Sequence, residues 1–96
     1  MNQLEEARRV IDHVDRQMAA LFEQRMEAVR HVAEFKATHG LPVLNREREE
    51  EVVSRNLALL EDPALYPYYE TFIRDLMALS RRYQAELLEL LKNNRV

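Results

Sequence analysis

The chain has 96 residues, of which 47% are hydrophobic, with one glycine, three prolines and no cysteine. This length allows one domain at most, and the composition is typical of a helical protein and excludes disulfide and thiolate chemistry. The net charge is −3 at pH 7 and the basic residues are interleaved with acidic ones, so nucleic acid is not expected as a partner.

The sequence has no feature that directs it to a membrane. Its first residues, MNQLEEARR, lack the apolar segment of a signal peptide. No apolar run approaches the roughly 20 residues that span a bilayer. We therefore expect a cytoplasmic protein with a single helical domain over residues 1–96, although a segment taken from a longer protein would give the same expectation.

The first predicted element is a long helix from about Gln3 to Thr38. Gly40 suits the left-handed conformation that ends many helices. Apolar residues recur along one face of this helix at Leu4, Ala7, Ile11, Val14, Met18, Leu21, Ala28, Val32 and Phe35. The helix would be about 54 Å long, whereas a globule of this size is roughly 25–30 Å across. We expect a second copy of the chain to cover the rest of the apolar face, in a homodimer.

Arg25 is the one charged residue on this apolar face. A guanidinium keeps its proton, so its burial is costly unless an anion meets it. The side chain could extend outward to water, pair with a carboxylate on another helix, or bind an anionic ligand. The sequence around Arg25 does not decide among these interpretations.

Lys36 follows Arg25 by nearly three helical turns. The two cations therefore face within about 20° of each other and lie about 16 Å apart. Two long cationic side chains at that separation can converge on one small dianion. A solvated lysine at the end of the helix and an unrelated arginine would show the same spacing.

Arg8 is on the same helix but points elsewhere. It precedes Arg25 by 17 residues, which rotates it by about 100° and displaces it by about 25 Å. It cannot serve the same site from the same chain, but in an antiparallel or crossed dimer it could serve the partner's site. The alternative is an exposed arginine beside Arg9.

The second predicted helix begins after Asn45, which can cap it, and runs to about Leu60. Glu47 and Glu49 lie in its first turn, where carboxylates are favoured by the helix dipole. A single helical turn is expected after this helix, over residues 63–66.

The third predicted helix runs from Pro67 to about Lys92. Its apolar stripe is formed by Ile73, Met77, Leu87 and Leu91. Ser80 and Gln84 interrupt this stripe and point the same way, one turn apart. They could be a helix-bending serine and a glutamine that bridges two helices, or they could be polar groups of a binding pocket.

Several other chemistries find little support in the sequence. The three histidines, His13, His31 and His39, lack the Glu-x-x-His pattern of a metal site in a helical bundle, so no metal is expected. There is no Ser/His/Asp set, glycine-rich phosphate loop or reactive cysteine. A pocket with cations, amides and few proton carriers suits the binding and orienting of a small dianion.

Five segments occur in an order and spacing that are specific to one protein family, although each segment alone is a weak indicator of it. They are RRVIDHVD (8–15), EQR ending at Arg25, FK ending at Lys36, PVLNREREEEV (42–52) and LSRRYQ (79–84). Because of these segments, the sequence resembles an all-helical chorismate mutase of the AroQ class, over about Leu4 to Leu88. The resemblance implies an all-α fold with three helices per protomer in an intertwined homodimeric bundle. It also implies that the protein rearranges chorismate to prephenate without a cofactor.

The resemblance further implies which residues form the site. The carboxylate-binding arginines of the family correspond to Arg25 and, from the other protomer, Arg8. Lys36 corresponds to the lysine that contacts a substrate carboxylate and the ether oxygen, and Gln84 to the glutamine that donates to the same oxygen from the opposite side. The remaining substrate-binding residues implied are Asn45, Arg48, Glu49 and Ser80.

Two of these positions carry a specific expectation from the family. Glu49 would accept a hydrogen bond from the ring hydroxyl of the substrate. Many members have aspartate where this chain has Asn45. Asparagine suffices if that position acts through its backbone carbonyl and as a helix cap; otherwise the affinity for substrate falls.

Two alternative functions stay open at this point. An isochorismate–pyruvate lyase of the same fold uses the same cationic pocket, although the matches at Ser80 and Glu49 favour the mutase. A non-catalytic helical dimerisation or regulatory module would leave the cations and amides converging on nothing, which is unfavourable for unpaired buried charge.

Overall fold

Three α-helices form the fold in the computed structural model, which describes residues 2–93. They are α1 (Gln3–His39), α2 (Arg46–Ala58) and α3 (Tyr66–Asn93), with a 3₁₀ turn at Pro63–Leu65 before α3. These residues contain no β-strand. The predicted all-α class with three helices, of which the first and third are long, is confirmed.

Capping groups define both ends of α1. The side chain of Asn2 accepts a hydrogen bond from the N–H of Glu5 at 2.8 Å, which satisfies one of the free donors of the first turn. At the other end Gly40 has a φ of 65° and its N–H donates to the carbonyl of Lys36. The predicted left-handed cap is confirmed, and the helix ends one residue beyond the predicted Thr38.

Replacement of Gly40 by alanine is expected to lower the free energy of unfolding by about 1–2 kcal/mol, because a Cβ atom disfavours the left-handed conformation. Apart from the glycine and its two chain neighbours, no atom of residues 2–93 lies within 4 Å of the position that the Cβ would take, so the effect comes from the backbone alone. Gly40→Asn should cost less, since asparagine adopts this conformation more readily. Urea unfolding compares the three proteins, and an alanine variant as stable as the wild type would contradict the expectation.

The second helix, α2, begins where the sequence predicts and ends earlier. Asn45 caps it by accepting a hydrogen bond from the N–H of Arg48 at 3.0 Å. The helix ends at Ala58, so the predicted end at Leu60 is wrong by two residues. The backbone N–H groups of the next two residues donate to carbonyls only three residues back. This tighter turn ends the α-helix, as is common at C-termini.

The third helix, α3, starts one residue before its predicted start at Pro67. Proline is tolerated in the first turn because its missing N–H would have no partner there. The side chain of Asp62 caps the preceding 3₁₀ turn by accepting from the N–H of Ala64 at 3.0 Å. The helix is described as far as Asn93, the last residue that the structure describes.

The core lies along α3, which packs against both α1 and α2. Its buried apolar residues are Ala33, Val53, Ile73 and Met77. Ser80 and Gln84 are also buried, and they continue the same face of α3 by one and two turns. The core therefore places two polar side chains beside the C-terminal half of α1.

The N-terminal part of α1 is not covered by the rest of the described chain. Every residue from 2 to 24 is exposed, including the apolar side chains of Leu4, Val10, Ile11, Val14, Met18, Leu21 and Phe22. The molecule measures 60 × 27 × 14 Å with a radius of gyration of 17.2 Å. A compact chain of this length has a radius of gyration of about 12–13 Å. As expected from the length of α1, the other two helices leave most of its apolar face open.

Candidate active site

One cleft brings together most of the residues predicted for the site. It lies where the C-terminal half of α1, the first turns of α2 and the middle of α3 meet, and its volume is about 280 Å³. Seven of the eight predicted residues line it: Arg25, Lys36, Asn45, Arg48, Glu49, Ser80 and Gln84. The eighth, Arg8, does not line this cleft.

Arg25 is held in the cleft by a hydrogen bond from α3. Its Nη1 donates to the Oγ of Ser80 at 2.6 Å, and the Ser80 hydroxyl donates to the carbonyl of Leu76 at 2.9 Å. Partial burial lowers the pKa of Arg25 from its ordinary value, because desolvation disfavours the charged form. Within residues 2–93 no carboxylate lies within 4.0 Å of this guanidinium. Pairing with a carboxylate of another helix is therefore not the arrangement found.

Lys36 faces the same cleft from nearly three turns further along α1. Its Nζ donates to the carbonyl of Val43, in the loop between α1 and α2, at 2.8 Å. An ammonium group has three donors, so two stay free for other acceptors. The loop thus holds the lysine over the cleft rather than letting it extend into water.

Ser80 and Gln84 enter the cleft from α3 and are each only 6% exposed. The back-bond from Ser80 to Leu76 matches the interpretation of a helix-bending serine, but the same oxygen also receives Arg25. The Oε1 atom of Gln84 is buried and has no hydrogen-bond partner within residues 2–93. An unsatisfied buried acceptor is unfavourable by about 1–3 kcal/mol. A glutamine that bridges two helices would have this oxygen paired, so that interpretation does not describe the structure.

The start of α2 contributes the remaining predicted residues. The side chain of Asn45 serves as the helix cap, which is one of the two roles expected of this position. Arg48 pairs with Glu51 at 3.1 Å. Glu49 forms an ion pair with Arg81 of α3.

Arg81 lines the cleft although it was not expected among the site residues. It lies between Ser80 and Gln84 in the LSRRYQ segment and is three residues from Gln84, a spacing that places side chains side by side on a helix. The spacing from Gln84 is the only feature of the sequence that indicates Arg81 as a site residue. Its partner Glu49 comes from another helix, so the pair itself could not be read from the sequence.

The electrostatics of the cleft favour a small anion. Among residues 2–93, four cationic side chains line it, from Arg25, Lys36, Arg48 and Arg81, with the single carboxylate of Glu49. The formal excess of three positive charges, enclosed by apolar walls, raises the local concentration of anions. Within residues 2–93 no group of three or more His, Asp or Glu side chains is arranged to hold a metal ion. None of the helices over those residues is both long and apolar enough to cross a membrane.

The fold and the cleft define a class: a helical protein whose cation-lined and amide-lined cleft is suited to a small dianion. A family model described as chorismate mutase type II matches residues 7–85, and the chain belongs to that family. The T-protein of Haemophilus influenzae is 43% identical to it over 49 residues, which are 51% of this chain. The chain spans 13% of the length of that relative. No solved structure matches the chain significantly.

These comparisons confirm the resemblance to the AroQ class that the sequence segments carry. The family match supports the predicted chorismate mutase function. The family match includes Arg8 and all seven predicted residues of the cleft, since it runs from residue 7 to residue 85.

Proposed function

We propose that the chain catalyses the rearrangement of chorismate to prephenate. The observation that supports this proposal most strongly is the convergence of Arg25, Lys36 and Gln84, from two helices, on one positively charged cleft in a member of this family. Chorismate is a small dianion, which is the charge that the cleft favours. We further propose that the protein acts in the cytoplasm as a single domain over residues 1–96.

The reaction requires little acid–base chemistry from the protein. Within one molecule the ether C–O bond breaks while a C–C bond forms, and no proton is transferred and no covalent intermediate arises. The protein can accelerate this step by holding the substrate in the chair-like conformer in which the two ends meet. In this proposal Arg25 and Lys36 hold the carboxylates from two points of α1 that are about 16 Å apart along the helix.

The second contribution is electrostatic. Negative charge develops on the ether oxygen as the C–O bond breaks, and preorganised donors stabilise such charge more in the transition state than in the ground state. We assign this role to Lys36, which has free donors beyond its bond to Val43, and to the amide of Gln84 on the opposite side. The amide N–H of Gln84 makes this contact, since its buried Oε1 is an acceptor and cannot bond the ether oxygen.

The remaining site residues bind and position the substrate. Glu49 accepts a hydrogen bond from the ring hydroxyl, and Arg48 supplies donors near the substrate's charged groups. The one O–H of Ser80 already donates to the carbonyl of Leu76, so Ser80 contributes by positioning. It fixes the guanidinium of Arg25 through its hydroxyl oxygen. Asn45 acts as the cap that starts α2 in the place where Arg48 and Glu49 are needed.

We also propose an intertwined homodimer in which Arg8 completes the partner's site. The exposed apolar face over residues 2–24 needs a cover that the chain does not provide within residues 2–93. Arg8 lies about 25 Å along α1 from Arg25, too far to reach the cleft of its own chain. A two-fold pairing of the long helices would cover the apolar face and carry Arg8 to the other protomer.

The test of the function is incubation of the purified chain with chorismate, followed by the loss of its absorbance and the detection of prephenate. A parallel incubation with isochorismate, assayed for pyruvate and salicylate, tests the lyase alternative. Turnover of chorismate to prephenate supports the proposal. Turnover of isochorismate alone would assign the lyase function, and turnover of neither substrate would leave the non-catalytic module as the function.

Gln84→Glu is expected to make the activity depend strongly on pH. A deprotonated carboxylate at this position repels the charge that develops on the ether oxygen, whereas the protonated acid can donate to it. Burial and the negative charge of the substrate both disfavour the charged form of this carboxyl, and its protonation as the pH falls restores a donor. The activity of the variant should therefore rise as the pH falls from 8 to 5. A pH profile of kcat as flat as that of the wild type would show that this side chain does not face the ether oxygen.

A further inference from the structure

We propose that Arg81 is a positioning residue that holds the Glu49 carboxylate in the cleft and offsets its negative charge. The inference rests on the proposed function, because it concerns how the same cleft accepts its substrate. It extends the set of site residues by one side chain from α3.

The Arg81–Glu49 pair is the least exposed ion pair in the described part of the chain. Its side chains are 35% and 23% exposed, whereas those of the other pairs are 37–74% exposed. It joins the first turn of α2 to the middle of α3, and both of its side chains line the cleft. Burial of this kind makes the pair less sensitive to screening by salt than pairs on the surface.

The negative charge of Glu49 disfavours the binding of a dianion, and Arg81 offsets that charge. A carboxylate must be ionised to accept a hydrogen bond from a hydroxyl group with full strength, yet an ionised carboxylate repels a dianion. A guanidinium paired with the carboxylate removes most of this repulsion. The remaining lone pairs of the carboxylate stay available for a ligand, since each carboxylate has about four acceptor positions.

Arg81 also selects between two positions of the Glu49 side chain. Both residues also line another cleft, together with Leu44, Arg46 and Glu50. Arg46 precedes Glu49 by three residues, a spacing that permits an ion pair along the helix. Without Arg81 the carboxylate can turn to Arg46, away from the substrate. The ion pair to α3 therefore keeps Glu49 on the side of the candidate active site.

The first test is the kinetics of Arg81→Gln with chorismate. Glu49 binds a hydroxyl group that is not part of the bond rearrangement, so its contact is about equal in the ground and transition states. The variant should raise KM by about tenfold or more and change kcat by less than about threefold. Arg81→Lys keeps the charge but not the planar fork, and it should recover most of the lost affinity.

The matched control is Arg74→Gln. Arg74 lies two turns earlier on α3 and also bridges to α2, with its Nη1 2.9 Å from the Oε1 of Glu50. It does not line the cleft. If the effect of Arg81 were only to fasten α2 to α3, the two variants would raise KM alike. We expect Arg74→Gln to leave KM within about twofold of the wild type.

A double variant separates positioning from direct binding of substrate by Arg81. In Arg81→Gln the carboxylate of Glu49 is uncompensated, so replacing it as well, in Arg81→Gln/Glu49→Gln, should lower KM again. If Arg81 bound a substrate carboxylate itself, Glu49→Gln would not relieve its loss and the double variant would bind no better than Arg81→Gln. That result would overturn the inference, as would an unchanged KM in Arg81→Gln. A wild-type chain that leaves chorismate unaltered would overturn the proposed function and the inference with it.

Discussion

Lys36→Ala is expected to lower kcat by about 10²–10³, the loss typical of removing one donor that stabilises charge in a transition state. Lys36 is already held over the cleft by the carbonyl of Val43, at 2.8 Å. It therefore needs no reorganisation when charge develops on the ether oxygen. Steady-state kinetics with chorismate measure the effect, and circular dichroism verifies that the variant is helical.

The control for this variant is Lys92→Ala. Lys92 is the only other lysine in the chain, and it is exposed in the last turn of α3. Its removal changes the net charge by the same amount without touching the cleft, so kcat should be unaltered. If Lys36→Ala raised KM and left kcat unchanged, the lysine would bind the ground and transition states alike, and its assignment to the transition state would be wrong.

Two inactive variants are expected to restore activity to each other when their chains are mixed. Arg8→Ala and Lys36→Ala should each give a folded homodimer with little activity. When equal amounts are unfolded together and refolded, about half of the dimers should be mixed by random two-fold association. In a mixed dimer the site on the Arg8→Ala chain keeps its own Lys36 and receives an intact Arg8 from its partner. The other site lacks both residues, so about a quarter of all sites should regain full competence.

Sedimentation equilibrium provides the control for the mixing experiment. It first establishes that each variant and the refolded mixture are dimers at micromolar concentration. Recovery near a quarter of the wild-type activity supports shared sites. If the mixture is dimeric but no more active than its parents, Arg8 does not complete the partner's site. A fully active species with the mass of one chain would contradict the homodimer altogether.

The sequence alone determined the helices and most of the residues at which they begin and end, because these depend on local interactions. Heptad spacing of apolar residues defines α1, and the left-handed glycine after it and the asparagine cap before α2 act within a few residues of themselves. The end of α2 could not be located so well. Its last turn tightens through bonds to carbonyls three residues back, and helix ends differ by a residue or two for such reasons.

The candidate site could be anticipated where a polar residue breaks an apolar stripe. Arg25, Ser80 and Gln84 each stand on a face that is otherwise apolar, and the spacing of Lys36 relative to Arg25 follows from helix geometry. The residues at the start of α2 are different. Arg48 and Glu49 lie in a run of acidic residues that is typical of a solvated helix face. Only the resemblance to a family identified them as site residues.

Only the tertiary structure decided which of these side chains meet. The bond from Arg25 to Ser80 spans 55 residues and the pair of Arg81 with Glu49 spans 32, so neither follows from a helical period. The loop that brings the carbonyl of Val43 to Lys36 likewise depends on how α2 returns along the bundle. Helical periodicity determines the face on which a side chain lies, because it is a property of neighbouring residues in one element. The partner on the opposite face is determined by packing between elements, and so the cleft and the position of its one carboxylate became visible only in the folded chain.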